Sequence, residues 1–74
     1  MKDFESLLNS AIENKDKYNA AKGLIIKSND RELIKKLEQM DLIRNPVYSR
    51  GNDGEIVSFD ITYDGLHYFD EQRR

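Results

Sequence analysis

Gly51-Asn52-Asp53-Gly54 limits what this 74-residue chain can fold into more than any other stretch. Four residues that tolerate positive φ stand in a row, as a tight hairpin tip requires. What flanks them agrees. Glu55 to Ile61 alternates, with Val57, Phe59 and Ile61 on one face and Ile56, Ser58 and Asp60 on the other, the pattern of a half-buried antiparallel strand. Before the tip, Ile43 to Arg50 is extended, and Pro46 bars a return to helix and restricts the segment to a sheet edge. At strand parity Arg44, Pro46, Tyr48 and Arg50 share one face of that edge.

The hairpin needs helices to cover it, and the sequence offers them on both sides. Phe4, Leu7, Leu8, Ala11 and Ile12 fall on one face of a first helix, with Asp3 placed to cap it. Asn14-Lys15-Asp16-Lys17 ends that stripe as a polar connector. From Asp30 to Met40, Leu33, Ile34, Leu37 and Met40 form the apolar stripe of another helix, with Leu37 central in it. Asn29 and Glu32 stand as its cap and reciprocal acidic partner. Between these two, Tyr18 to Ile26 is expected to be a helix, with Lys27-Ser28-Asn29 as the turn after it. Gly23 weakens that helix by ~1 kcal/mol relative to alanine, and Leu24-Ile25-Ile26 alone could be a short strand. After the hairpin, Thr62 caps a closing helix with Asp64 in its first turn. Leu66 and Phe69 face inward, and Gly65 sits where close packing against the hairpin's base needs no side chain.

Charge is segregated along the chain although the net value is only −2. Residues 17–50 carry eight Lys and Arg against four Asp and Glu, while both ends are acidic. An acidic chain can thus still present a basic face. Without cysteine there is no disulfide and no thiolate metal site. The start shows no signal peptide and no apolar run approaches a membrane span, so a single cytoplasmic domain over residues 1–74 is expected.

Catalytic chemistry has little to work with. His67 is the one histidine, with Asp64 and Asp70 three residues to either side, and this trio reads as a surface histidine with acidic neighbours. Asn52-Asp53-Gly54-Glu55 lacks the alternating oxygen ligands of a calcium loop. No enzyme, cofactor or metal is expected. The residues that could carry a function are instead those opposite the apolar stripe of the 30–40 helix. Arg31, Lys35 and Gln39 line up there at i, i+4, i+8, with Glu32 beside them, and two cations and an amide suit phosphates and base edges.

Two stretches together resemble bacterial winged helix-turn-helix proteins. Leu33-Ile34-Lys35-Lys36-Leu37-Glu38-Gln39-Met40-Asp41-Leu42-Ile43 looks like that family's recognition helix and exit, with Asp41 in place of its usual glycine. Ile61-Thr62-Tyr63-Asp64-Gly65-Leu66-His67-Tyr68-Phe69 is similar to its second signature: strand end, threonine cap, glycine, then an aromatic-apolar pair. Among named groups, the small prophage-associated proteins of the YjcQ type are the nearest. The resemblance implies an α+β winged helix-turn-helix with three N-terminal helices, a two-stranded wing hairpin and a short C-terminal helix. It also implies sequence-specific binding of double-stranded DNA, often as a dimer, by a transcriptional or phage-type regulator. Carried over, the DNA-binding roles fall on Arg31, Lys35 and Gln39 of the helix and on Arg44 and Arg50 of the wing. Lys36 is counted with them, as is Tyr48, whose face could rest on a phosphate backbone or on a protein partner. A homodimer would use the first helix with Tyr63, His67 and Asp70. The alternative is a winged helix serving as a protein-interaction module, for example a phage-encoded inhibitor of a host protein, and the acidity of both ends favours it.

Overall fold

The structure is a computed structural model that describes residues 4–27, 29–52 and 54–72. Asp3, Ser28 and Asp53, expected in a cap, a turn and the hairpin tip, lie outside the described residues. The chain runs α1 (Phe4–Glu13), β1 (Ala20–Ile26), α2 (Asp30–Gln39), β2 (Ile43–Gly51), β3 (Gly54–Ile61), α3 (Tyr63–Leu66) and α4 (Tyr68–Gln72). The strands form one antiparallel sheet in the order β1-β3-β2.

This corrects the expected architecture. Two helices, not three, precede the hairpin, and the sheet has three strands rather than a two-stranded wing. The difference lies in the segment expected to be helical from Tyr18 to Ile26. The Asp16 carboxylate accepts from the Tyr18 and Ala20 amides at 2.8 and 3.1 Å, and Asn19 takes a left-handed φ of 63°. That reversal ends any helix before it can propagate. The chain then meets the otherwise open edge of β3, with Ala21 opposite Phe59, Leu24 opposite Val57 and Ile26 opposite Glu55. Pairing along β3 satisfies a whole row of backbone groups, which outweighs the few tenths of a kcal/mol per residue that separate helix formers.

Both outer strands are irregular. β1 bulges between Ala21 and Leu24, where Gly23 has a φ of 73°, and β2 bulges between Arg44 and Val47, where Asn45 has a φ of 55°. The second bulge changes which residues share a face. Arg44 lies opposite Asp60 and Val47 opposite Ser58, whereas Tyr48 lies opposite Val57 and Arg50 opposite Glu55. The expected face of Arg44, Pro46, Tyr48 and Arg50 is therefore split between the two sides of the sheet.

One side of the sheet is covered and forms the core. Leu8 and Ala11 of α1, Ile34 and Leu37 of α2, and Val57, Phe59 and Ile61 of β3 are buried there, with Leu42 and Ile43 between them. Asn29 makes no side-chain cap bond to α2; instead the Asp30 carboxylate accepts from the Lys27 amide at 3.1 Å while the Asp30 amide donates to the Lys27 carbonyl at 2.9 Å. The helix ends in a Schellman arrangement. Asp41 takes the left-handed conformation (φ 62°), its amide donates to the Glu38 carbonyl, and the Leu42 amide donates to the Leu37 carbonyl, each at 3.0 Å. Asp41 thus occupies, as a tolerated carboxylate, a conformation that usually falls to glycine.

The exit of α2 and the start of α3 form one node. Thr62 Oγ1 donates to the Asp41 carbonyl at 2.7 Å and accepts from the Gly65 amide at 3.0 Å, the expected cap. The Thr62 amide donates to the Leu42 carbonyl at 3.0 Å. The two stretches that carry the family resemblance are therefore in direct contact. From this node Phe69 and Leu66 turn against the core, and the Tyr68 hydroxyl donates to Glu5 at 2.9 Å, tying the closing turns to α1.

Candidate nucleic-acid interface

The first turn of α2 leans over the hairpin, and there Arg31 meets two strand residues. Arg31 Nε donates to Glu55 Oε1 at 3.0 Å and Nη2 donates to Glu55 Oε2. The same guanidinium lies over the Tyr48 ring, its carbon 4.3 Å from the ring centroid. Arg50 stands directly opposite Glu55 in the β2–β3 register. Because the bulge in β2 turns Tyr48 and Arg50 toward the helix side, the strand and the helix supply groups to one patch.

Electrostatics within the patch follow from these contacts. Hydrogen bonding to Arg31 holds the Glu55 carboxyl below the usual range, against a smaller opposing effect of burial, and the Arg31 guanidinium is raised in turn by Glu55. Burial pushes the half-buried Tyr48 phenol up. A carboxyl lowered in the folded state contributes stability above its ordinary pKa, and that contribution is lost as pH falls through the lowered value. The Arg31–Glu55 pair is thus formed throughout the neutral range, and its exposure keeps its worth small.

The seven residues expected to contact DNA do not all lie together. Arg31, Tyr48 and Arg50 converge as described. Lys35 and Gln39 are exposed on successive turns of α2, in line with Arg31. Lys36 turns the other way, its ammonium 4.7 Å from the centre of the Phe4 ring on α1. Arg44 is on the opposite side of the sheet, its Nε 3.9 Å from Asp41 with both side chains exposed. Glu55 was missed, although its parity with Val57, Phe59 and Ile61 marks it as an acid on the helix-covered face, where a cation has to meet it.

Elsewhere on the surface, two arrangements stand out. On the face of the sheet away from α1 and α2, Ile25 and Val47 are 64% and 63% exposed, with Ile56 opposite Ile25. A depression of about 230 Å³ on this side is lined by Ala20, Lys22, Asn45, Val47 and Asp60 among others. On the closing turns the Tyr63 and His67 rings are in contact, tilted at 43° with centroids 4.3 Å apart, and His67 Nδ1 is 2.7 Å from Asp70 Oδ2, so these three form one exposed stripe. Among the described residues no group of three or more His, Asp or Glu could hold a metal ion, and no helix is long and apolar enough to cross a membrane. Comparison with protein-family models, with curated proteins and with solved structures gives no match.

Proposed function

We propose that the chain binds duplex DNA along α2 and the helix-facing side of the hairpin, as a small regulator. The observation that carries this reading is the convergence of Arg31, Tyr48 and Arg50 from two separate elements, with Lys35 and Gln39 extending the line along the helix. A helix of this diameter fits the major groove, and a hairpin held against it at one end can reach the flanking backbone. Lys35 and Arg50 are the phosphate contacts in this arrangement, and Gln39 offers a bidentate edge to adenine.

Anisotropy titrations of a mixed-sequence duplex between 50 and 200 mM salt test it. Wild-type affinity should fall steeply with salt, Lys35→Glu should abolish binding without changing the melting curve, and Arg50→Ala should lower the salt slope by about one. Absence of duplex binding by the wild type at low salt ends the reading.

A second reading has its own observation. The exposed Ile25 and Val47 on the sheet face away from α1 and α2 suit a protein partner better than a polyanion, which favours an interaction module such as an inhibitor of a host protein. Capture of one host protein that survives nuclease treatment and high salt, and that Val47→Asp abolishes while duplex binding is unaffected, would select this reading.

A further inference from the structure

Arg31 is restrained far more than a surface arginine needs to be. Glu55 takes the edge of the guanidinium formed by Nε and one N–H of Nη2, and the guanidinium carbon rests over the Tyr48 ring. A guanidinium has five N–H donors. Of the three not used by Glu55, one on Nη1 and one on Nη2 form the end-on fork, and the side chain is 51% exposed. The fork is therefore preset, with the Nε–Nη2 edge held by Glu55 and the guanidinium carbon seated over Tyr48.

We infer that Arg31 is a reader of a neutral pair of acceptors, the O6 and N7 edge of guanine in the major groove, and not a phosphate clamp. This rests on the duplex reading above and assigns a role within that site. Charge decides between the two ligands. The Glu55 carboxylate is hydrogen-bonded to this guanidinium and offsets its charge, whereas Arg50, opposite Glu55 in the register, makes no ion pair with that carboxylate among the described residues. A phosphate drawn to the Arg31 fork would therefore come to lie beside a second anion. Guanine's edge carries no net charge and meets no such repulsion. The buttressed fork also loses little rotamer freedom on binding, which favours directional recognition over mere attraction. Lys35, which pairs with no carboxylate among the described residues, remains for the backbone.

The test uses the full chain and a duplex selected on the wild type from a randomised pool. Each guanine in the selected duplex is replaced in turn by 7-deazaguanine, which has carbon in place of N7. One replacement should weaken wild-type binding by about tenfold or more, and should have no further effect on Arg31→Lys. Arg31→Lys should reduce the preference for the selected over a scrambled duplex by about ten- to a hundredfold while leaving the salt slope in place. Glu55→Gln keeps the size of the side chain but removes its charge, and should tighten binding to the scrambled duplex and steepen the salt slope by about one. Melting curves establish that each variant is folded. An equal loss on selected and scrambled duplexes with Arg31→Lys makes Arg31 a phosphate contact and overturns the inference, as does a Glu55→Gln variant unchanged on both. If wild type and Glu55→Gln alike bind no duplex at low salt, the duplex reading itself has failed, a result distinct from salt-dependent binding that ignores Arg31.

Discussion

Leu37→Ala should lower the stability of this chain by about 2–5 kcal/mol, the cost of deleting a fully buried leucine. Leu37 has no exposed surface and lies in the core cluster with Leu8, Ile34, Ile43 and Val57. It is also the residue whose carbonyl closes the end of α2 through the Leu42 amide, so the surrounding backbone is held and collapses poorly into the space left. Domains of this size have only about 5–15 kcal/mol in total and sit toward the low end. A drop in Tm of well over about 10 °C is expected, and much of the chain should be unfolded at 37 °C. Urea denaturation followed by circular dichroism reads it. A variant with unchanged midpoint and slope would show that α2 presents a different face to the sheet.

Gly65→Ala should be nearly as damaging, for the opposite reason. A methyl group on Gly65 would lie far inside the van der Waals contact distance of the Leu42 carbonyl oxygen and 2.9 Å from Ile61 Cγ2. The first of these is backbone, and it already accepts the Thr62 amide. Making room means moving α3 away from the exit of α2, which strains or breaks the bonds through Thr62. Overpacking with a weakened hydrogen bond costs about 2–4 kcal/mol, against which the better helix propensity of alanine returns about 1. The net loss of about 1–3 kcal/mol should appear as a lower urea midpoint. Gly65→Ala at or above wild-type stability would mean that the two segments are not packed together.

Those two effects come from parts of the chain that are legible in the sequence. α1 and α2 carry their apolar residues at helical spacing, β3 carries strict alternation, and the tip between Gly51 and Gly54 admits little else. Thr62 and Gly65 announce a capped helix at close quarters. What is not legible depends on residues distant in the chain. Ala20 to Lys22 favour helix locally, and only the presence of β3 as an edge to be paired makes them a strand. That single segment is the difference between the expected three-helix architecture and the observed one. The candidate site divides in the same way. Periodicity alone aligns Arg31, Lys35 and Gln39 on α2. The separation of Arg44 from Arg50 follows from a left-handed Asn45, a conformation that neither composition nor alternation reveals. Glu55 could have been found by asking what an acid does on a face of buried apolar side chains.

The two bulges carry a consequence for the protein in a crowded solution. With the order β1-β3-β2, both outer strands expose a row of backbone donors and acceptors to any neighbouring molecule. Each row is interrupted. β1 breaks stride at Lys22 and Gly23, and Lys15 bridges to Ala21 along its outer side. β2 breaks at Asn45 and Pro46, and proline has no amide hydrogen to offer. A foreign strand therefore finds no long straight template on either flank, which is how small β-containing proteins avoid growing into ribbons and fibrils.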